Sequence, residues 1–211
     1  MTVIGFIGSG NIGQVLARQV IAAGYGVVMS NSRGAETLAP LVAALGPKAR
    51  AATSDQAATA GDLVVVAIPF RNVAQVPAQP LAGKVVIDPS NYYPPRDGHL
   101  AAIDNGDKGS SEILAAHLPT SRIVKAFNAI MAAQIAEHAT PPGTPHRRAI
   151  PIAGDDEQAK RTVAELIDQI GFDTVDVGSL IGGRRIESTD AWGPVLDASA
   201  LRTLMDTRAR R

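Results

Sequence analysis

Three glycines near the start of the chain have the spacing of a turn that binds a dinucleotide pyrophosphate. Gly8, Gly10 and Gly13 follow an apolar run at residues 3–7 and precede apolar residues at helical spacing. In such a turn the first glycine allows a tight bend, the second lets the phosphates approach the backbone, and the third lets the helix pack against the strand. The helix N-terminus then points at the phosphates. The segment therefore predicts a dinucleotide site, and an unrelated glycine-rich turn is the alternative.

The end of the second predicted strand favours NADP(H) over NAD(H). An acidic side chain at this point usually bonds the ribose 2′-hydroxyl, whereas a cation accommodates a 2′-phosphate. The residues here are Asn31, Ser32 and Arg33, and no carboxylate follows until Glu36. The first two supply hydrogen bonds, and Arg33 carries a planar, permanent charge suited to phosphate. We expect NADP(H) as the cofactor, with an ordinary polar turn and a solvated Arg33 as the alternative.

No side chain is clearly placed in the sequence as a proton donor. Hydride transfer to a carbonyl usually needs an acid such as His, Lys or Tyr. Lys125 is the only lysine expected at a strand end that faces the cleft. The histidines share no predicted helical face, pair with no carboxylate and have no metal-ligand spacing: His99, His117, His138 and His146. A delocalised ring acceptor holds charge itself and needs mainly orientation, so the catalytic residues stay unassigned.

Composition limits the class of protein and its partners. The 211 residues fit one domain with a small appendage. Twenty basic and twenty acidic residues give no net charge, which does not favour nucleic acid or an anionic membrane as a partner. The absence of cysteine excludes disulfides and thiolate metal sites. The sequence shows no leader and no membrane-length apolar run, so we expect a cytoplasmic location.

Short aliphatic runs alternate with helical patterns, which predicts an α/β fold with a mainly parallel, doubly wound sheet of the Rossmann type. Strands are predicted after the first one at residues 27–29, 63–68, 85–87, 123–124, 150–152 and 172–177. Helices are predicted near residues 12–23, 38–45, 113–118 and 155–170, with Ser110 and Ser111 as possible caps and Pro40 starting or bending the second helix. We expect a Rossmann domain over residues 1–180 and a small helical extension of it over 181–211.

Ligands in open α/β sheets lie beyond the carboxyl ends of the strands, so three further strand ends are candidate walls of the site. Residues 68–70 are expected beside the adenine and ribose, residues 88–91 beside the nicotinamide ribose, and residues 125–128 beside the substrate. A structural turn is the alternative for each of the three. The stretch from Pro94 to Gly109 has no periodicity and is either a binding loop or a mobile surface loop.

Six motifs recur in one order and carry a resemblance to known enzymes. They are G-S-G-N-I-G at 8–13, S-N-S-R at 30–33, A-I-P-F at 67–70, V-K-A-F-N at 124–128, P-I-A-G-D-D at 151–156 and R-R-I-E-S at 184–188. Together they resemble the NADPH-dependent reductases of the deazaflavin coenzyme F420 and, notably at V-K-A-F-N, the cytoplasmic domain of six-transmembrane ferric reductases. The similarity covers residues 3–190. It implies a homodimer of one nucleotide-binding domain and hydride transfer between nicotinamide and a deazaflavin or flavin ring.

The resemblance also implies roles for individual residues. Ser9, Asn11 and Ile12 would contact the pyrophosphate. Asn31, Ser32 and Arg33 would contact the 2′-phosphate. Ile68, Pro69 and Ala126 would contact the nicotinamide side of the cofactor. The three glycines and Asn91 complete the predicted set of cofactor-binding residues. The acceptor is expected to contact Tyr92, Lys125, Phe127 and Asn128, in segments where the chain departs from the F420 reductases, and no metal site is expected.

Three functions stay open. The favoured one is an NADP(H)-dependent reductase that passes a hydride to a small-molecule acceptor, either F420 or a flavin-like ring. A β-hydroxyacid or imine dehydrogenase is the second, although such enzymes need a large helical C-terminal domain and only about thirty residues follow the last predicted strand. The third is a non-catalytic NADP(H)-binding sensor or interaction module. Turnover with different acceptors distinguishes the three.

Overall fold

One eight-stranded sheet organises the protein in the computed structural model, which describes residues 1–187 and 195–209. Its strands are β1 (Val3–Ile7), β2 (Gly26–Ser30), β3 (Ala49–Ala51), β4 (Leu63–Val66), β5 (Val85–Asp88), β6 (Arg122–Lys125), β7 (Ala149–Gly154) and β8 (Asp173–Asp176). The order across the sheet is β3-β2-β1-β4-β5-β6-β7-β8. The first six strands are parallel, β7 runs antiparallel to β6, and β8 runs parallel to β7. This order over β1–β6 is that of the Rossmann fold, so the predicted fold class is confirmed.

Nine α-helices flank the sheet in the described part of the chain. They are α1 (Asn11–Ala22), α2 (Ala39–Leu45), α3 (Ser54–Ala60), α4 (Pro94–Asp97), α5 (Ala101–Asp104), α6 (Ser110–His117), α7 (Ala132–Glu137), α8 (Glu157–Gln169) and α9 (Ala198–Ala209). Pro40 lies in the first turn of α2, where its missing N–H costs nothing, so that helix starts there rather than bending. Asp156 caps α8 by accepting a 2.7 Å hydrogen bond from Ala159 N.

The sheet is buried on both faces, as its aliphatic strands require. Alternate side chains of a strand point to opposite faces, and the strands divide accordingly between two apolar clusters. Phe6, Val65 and Val124 belong to the cluster that also holds the apolar faces of α1 and α8. Val64 and Ile123 belong to the cluster that includes the apolar residues of α6. The carboxyl ends of β1, β4, β5 and β6 are therefore held at one edge of the sheet.

Several local predictions need correction. The short elements β3, α3 and α7 were not predicted, because three to seven residues rich in alanine give little periodic signal. The stretch from Pro94 to Gly109 includes the single-turn helices α4 and α5. Ser110 and Ser111 do not cap α6, since Gly109 is its N-cap residue and both serine side chains are buried.

The C-terminal helix packs against the last two strands. Leu201 and Met205 of α9 share an apolar cluster with Val175 of β8 and Val177. Ser188, the last residue of the R-R-I-E-S motif, lies outside the described residues, as do the rest of 188–194 and residues 210–211. The boundary at residue 180 stays a prediction. Over residues 1–187 and 195–209, every helix is too short or too polar to cross a bilayer.

Candidate functional site

The three glycines of the first turn have different structural roles. Gly8 has φ +108°, and a Cβ there would lie 2.1 Å from the carbonyl oxygen of Ala67. A Cβ at Gly13 would lie 2.5 Å from the carbonyl oxygen of Gly8. A Cβ at Gly10 would meet nothing within 4 Å, and no side chain caps the helix α1 that begins at the next residue. Gly8 and Gly13 are therefore needed by the fold, whereas Gly10 keeps space open in front of unfilled backbone donors.

A cavity of about 480 Å³ lies beside this turn, and we call it the glycine cavity. It brings together the predicted pyrophosphate and 2′-phosphate segments, because β1 and β2 are neighbours and end at the same edge. Its lining also includes three polar residues that the sequence did not single out: Ser54, Asn72 and Gln75. The complete lining is Ile7, Gly8, Ser9, Gly10, Asn31, Ser32, Arg33, Ser54, Ala67, Ile68, Pro69, Asn72 and Gln75.

The turn after β2 is held by its own side chains, and its arginine is left available. Asn31 donates from Nδ2 to Thr37 Oγ1 at 2.9 Å and accepts the backbone N–H of Arg33 at 2.9 Å. The guanidinium of Arg33 makes no ion pair or hydrogen bond to any residue within 1–187 or 195–209. A cation that follows this strand end without a protein counterion is a fitting site for a 2′-phosphate.

A second cavity of about 420 Å³ adjoins the first, and we call it the asparagine cavity. The two cavities share Ala67, Ile68 and Pro69 in their linings, so they meet at the end of β4. The asparagine cavity is lined by Asn11, Ile12, Ala67, Ile68, Pro69, Pro89, Ser90, Asn91, Tyr93, Arg96, Phe127, Asn128, Ile130, Met131 and Ala132. A nucleotide bound along the glycine cavity can therefore reach a second, less polar chamber.

Two asparagines of the asparagine cavity join the turns that follow the neighbouring strands β5 and β6. Asn91 donates from Nδ2 to the carbonyl oxygen of Asn128 at 2.8 Å, and Asn128 Nδ2 lies 3.2 Å from Asn91 Oδ1. Asn128 also donates to the carbonyl oxygen of Ile186 at 2.6 Å. The preceding residue, Phe127, is buried and adopts φ +63°, an uncommon conformation for a bulky side chain. The turn after β6 is thus fixed by packing and by three side-chain hydrogen bonds, which holds this wall in place.

Lys125 does not face the cleft, and this prediction is wrong. It shares a sheet face with Ile123, on the side covered by α6, and its side chain is fully buried. Its Nζ lies within 4 Å of five oxygens: Ser90 O at 3.1 Å, Ser110 Oγ and Ser111 Oγ at 2.9 Å, Glu187 Oε1 at 3.1 Å and Asp88 Oδ2 at 3.9 Å. The lysine therefore joins the ends of β5 and β6 to α6 and to the turn at Glu187.

Three further predicted residues lie outside both cavity linings: Gly13, Ala126 and Tyr92. Ala126 is fully buried. Tyr92 packs edge-on against Phe70, with ring centroids 5.8 Å apart, and donates to Asp104 Oδ1 at 2.8 Å. The neighbouring Tyr93 lines the asparagine cavity instead. The sequence contained both tyrosines, but a loop without periodicity does not show which of them turns inward.

The histidines also lie outside both cavities. Contrary to prediction, two of them pair with carboxylates: His99 with Asp104 at 3.0 Å and His146 with Asp197 at 2.8 Å. Of the other two, His117 contacts Val76 O and His138 contacts the guanidinium of Arg148. Within the described residues no three His, Cys, Asp or Glu side chains cluster as metal ligands would.

Tyr93 and Arg96 are the titratable side chains in the described lining of the asparagine cavity. Burial raises the pKa of Tyr93, and the positive charge of Arg96 opposes this in part. Tyr93 therefore keeps its proton at neutral pH. Both residues come from the irregular stretch after β5, whose only signal in the sequence was its length.

Comparison with known proteins finds a family model and a curated relative that this chain matches. Residues 3–92 match the family model of the coenzyme F420-dependent NADP oxidoreductases. Metalloreductase STEAP3 of Rattus norvegicus is 31% identical over 187 residues, which is 88% of this chain and 36% of that protein. The chain thus spans about a third of the length of this curated relative.

Solved structures extend the similarity to the whole chain. A hypothetical protein of Sinorhizobium meliloti, SMa0349, is 33% identical with a TM-score of 0.76 and covers 93% of both chains. A candidate F420-dependent NADP reductase from Arthrobacter sp. FB24 shares the fold, with 21% identity, a TM-score of 0.76, and coverage of 100% of this chain and 94% of that one. The matched family model, the metalloreductase relative and the glycine turn support an NADP-dependent oxidoreductase, and the chain resembles the coenzyme F420-dependent family.

Proposed function

We propose that this protein passes a hydride between NADP(H) and a deazaflavin (F420) or flavin-like ring. The pyrophosphate would lie at residues 8–13 and the 2′-phosphate at residues 31–33. The nicotinamide would enter the asparagine cavity beside Ile68 and Pro69. The acceptor ring would occupy the rest of that cavity, against Asn91 and Asn128.

The observation that carries this proposal is that the two cavities adjoin at the end of β4. One contains the open space at Gly10 and the unpaired cation of Arg33, which suit the anionic groups of NADP(H). The other continues past Ile12 and Pro69 into a chamber with apolar and amide walls. A dinucleotide and a second flat ring can therefore be held in contact.

The chemistry of the second chamber also supports a ring acceptor. Its described lining has no Asp, Glu, His or Lys side chain. NADPH, when bound, supplies the hydride, and a deazaflavin or flavin ring accommodates the added electron pair without a protein acid. The apolar residues Ile12, Ile68 and Pro69 would exclude water and orient the rings, and Asn91 would fix the turn that holds Asn128.

Tyr93 supports a second candidate function, that of a carbonyl or imine reductase. It lines the cavity, and its raised pKa leaves it protonated, as a proton donor must be. Tyr93→Phe distinguishes the two functions. With a ring acceptor we expect turnover to change by less than about threefold, whereas loss of a general acid costs about 10²–10⁴-fold.

The proposed function is tested by following NADPH oxidation with F420, FMN, FAD and ferric chelates offered in parallel. We expect turnover with F420 or with a flavin. Tight NADPH binding without oxidation by any of these acceptors would favour a non-catalytic sensor. Reduction of carbonyls or imines alone, with a strong dependence on Tyr93, would favour the second candidate.

We also propose that the protein is a cytoplasmic homodimer, as its resemblance to F420 reductases implies. Light scattering during gel filtration tests the subunit number directly. A monomer that is fully active would contradict the dimer without affecting the proposed chemistry.

A further inference from the structure

Arg96 is the one charged side chain in the described lining of the asparagine cavity. All other lining residues named above are apolar or neutral polar. The described lining therefore carries a single guanidinium, contributed by α4, and its counterion Asp97 lies outside that lining. A charge retained in such a chamber acts on any ligand that enters it.

The guanidinium of Arg96 is fixed by its neighbours. It donates from Nε and Nη2 to the carboxylate of Asp97, at 2.9 and 2.7 Å, and from Nη2 to the carbonyl oxygen of Asn91 at 2.7 Å. Its Cζ lies 4.9 Å from the centroid of the Tyr93 ring. These contacts hold the planar group in one orientation, which lowers the entropy cost of a further hydrogen bond.

Asp97 does not use up the hydrogen-bonding capacity of this arginine. Its fully buried carboxylate also accepts the backbone N–H groups of Arg71 at 3.2 Å and Tyr93 at 2.9 Å. The Nη1 group of Arg96 makes no hydrogen bond within the described chain, and 41% of the side chain is exposed. An oriented guanidinium with one free edge can bind a phosphate or carboxylate.

We propose that Arg96 selects planar acceptors that carry an anionic substituent, a phosphate or a carboxylate, over neutral rings of the same kind. This inference rests on the proposed function, because it concerns the acceptor in the same cavity. Arg96 would act as a specificity residue: it binds the substituent, while the ring lies against the apolar and amide walls. No step of hydride transfer passes through it.

The inference is tested by comparing acceptors that differ only in charge. FMN carries a phosphate on the side chain of riboflavin, so both are titrated into NADP⁺-saturated protein with flavin fluorescence as the readout. We expect FMN to bind about tenfold more tightly, the low end for a charge-assisted hydrogen bond at a partly exposed site. Riboflavin with inorganic phosphate is the third arm and separates an attached phosphate from a free one.

Variants assign the preference to the side chain. In Arg96→Met we expect the affinity for FMN to fall to that for riboflavin, while the affinity for riboflavin changes by less than twofold. Arg96→Lys keeps the charge and should keep part of the preference. Arg18→Met on α1 is the control, because this substitution removes the same charge from an exposed residue that lies outside both cavity linings.

The outcomes for this inference and for the proposed function are distinct. Equal affinities of the wild-type protein for FMN and riboflavin, or an equal loss of both in Arg96→Met, would overturn the role of Arg96. Hydride transfer to F420 or flavin would still stand in that case. Failure of either flavin to bind, together with absence of F420 reduction, would overturn both.

Discussion

Replacing Gly10 with valine should weaken nucleotide binding by roughly 100-fold and leave the fold intact. A Cβ at this position meets nothing within 4 Å of the protein, and φ is −72°, a value that any residue adopts. The new side chain would instead fill the space in front of α1, where the pyrophosphate is proposed to lie. The variant therefore separates a glycine needed by the ligand from one needed by the fold.

The size of the effect follows from the contacts that would be lost. A charge-assisted hydrogen bond contributes about 1.5–3 kcal/mol, and an anion at a helix N-terminus gains up to about 2 kcal/mol from the dipole. Loss of one bond and part of the dipole term costs about 3 kcal/mol, or roughly 100-fold in affinity. The fold is destabilised only because valine is a less favourable N-cap residue than glycine. This costs about 1 kcal/mol and lowers Tm by about 2–4 °C.

Gly8→Ala is the matched contrast. Its φ of +108° and a Cβ only 2.1 Å from Ala67 O combine backbone strain with overpacking, about 2–6 kcal/mol together. We expect a large fall in Tm for this variant and a small one for Gly10→Val. Calorimetric titration with NADPH and thermal unfolding measure both quantities. A folded Gly10→Val protein that binds NADPH within about threefold of wild type would refute the placement of the pyrophosphate.

Three further predictions concern charged side chains. Arg33→Ala should weaken NADPH binding by about 1.5–3 kcal/mol and leave NADH almost unchanged, and calorimetry showing equal losses would contradict the 2′-phosphate assignment. Lys125→Met should leave Glu187 beside α6 without its cation and destabilise the protein by about 3 kcal/mol. Hydride transfer by the folded fraction should fall much less than the 10²-fold that loss of a general acid causes. A normal Tm together with abolished turnover would contradict this prediction. Hydrogen bonds from Arg184 lower the pKa of the Glu112 carboxyl. The stability that this carboxylate contributes is therefore fully present above its unfolded pKa of about 4.3, and it is lost as the pH falls through the lower folded pKa. Thermal unfolding across that acidic range should show a smaller loss in Glu112→Gln than in wild type, and identical pH curves would exclude the contribution.

The nucleotide half of the site could be predicted because its signal is local. The turn from β1 to α1 needs glycine at fixed positions, and the residues after β2 differ in charge between the two cofactors. The parallel order of β1–β6 then places these segments together without further information. The structure adds what spacing does not contain, namely that Gly10, unlike Gly8 and Gly13 of the same turn, has open space where a Cβ would lie.

The acceptor half could not be predicted to the same degree because it depends on distant contacts. When a strand is apolar on both faces, its sequence does not reveal on which face of the sheet Lys125 lies. The partners of Lys125 lie on α6 and at Glu187, far from it in the sequence. The inward turn of Tyr93 and Arg96 depends on the buried carboxylate of Asp97. No periodic pattern records such loop contacts.

The transfer of deuterium to F420 from NADPH that carries deuterium at both C4 positions is the decisive measurement for direct hydride transfer between the two rings. The position that receives the hydride in a deazaflavin is a carbon, so a transferred deuterium does not exchange with water and mass spectrometry detects it. We expect stoichiometric oxidation of NADPH and one deuterium retained in the reduced deazaflavin, with this label strongly reduced in Gly10→Val at the same NADPH concentration. Reduced F420 without deuterium, or bound NADPH that transfers none to F420 or to any flavin, would contradict direct hydride transfer between two rings held in this cleft.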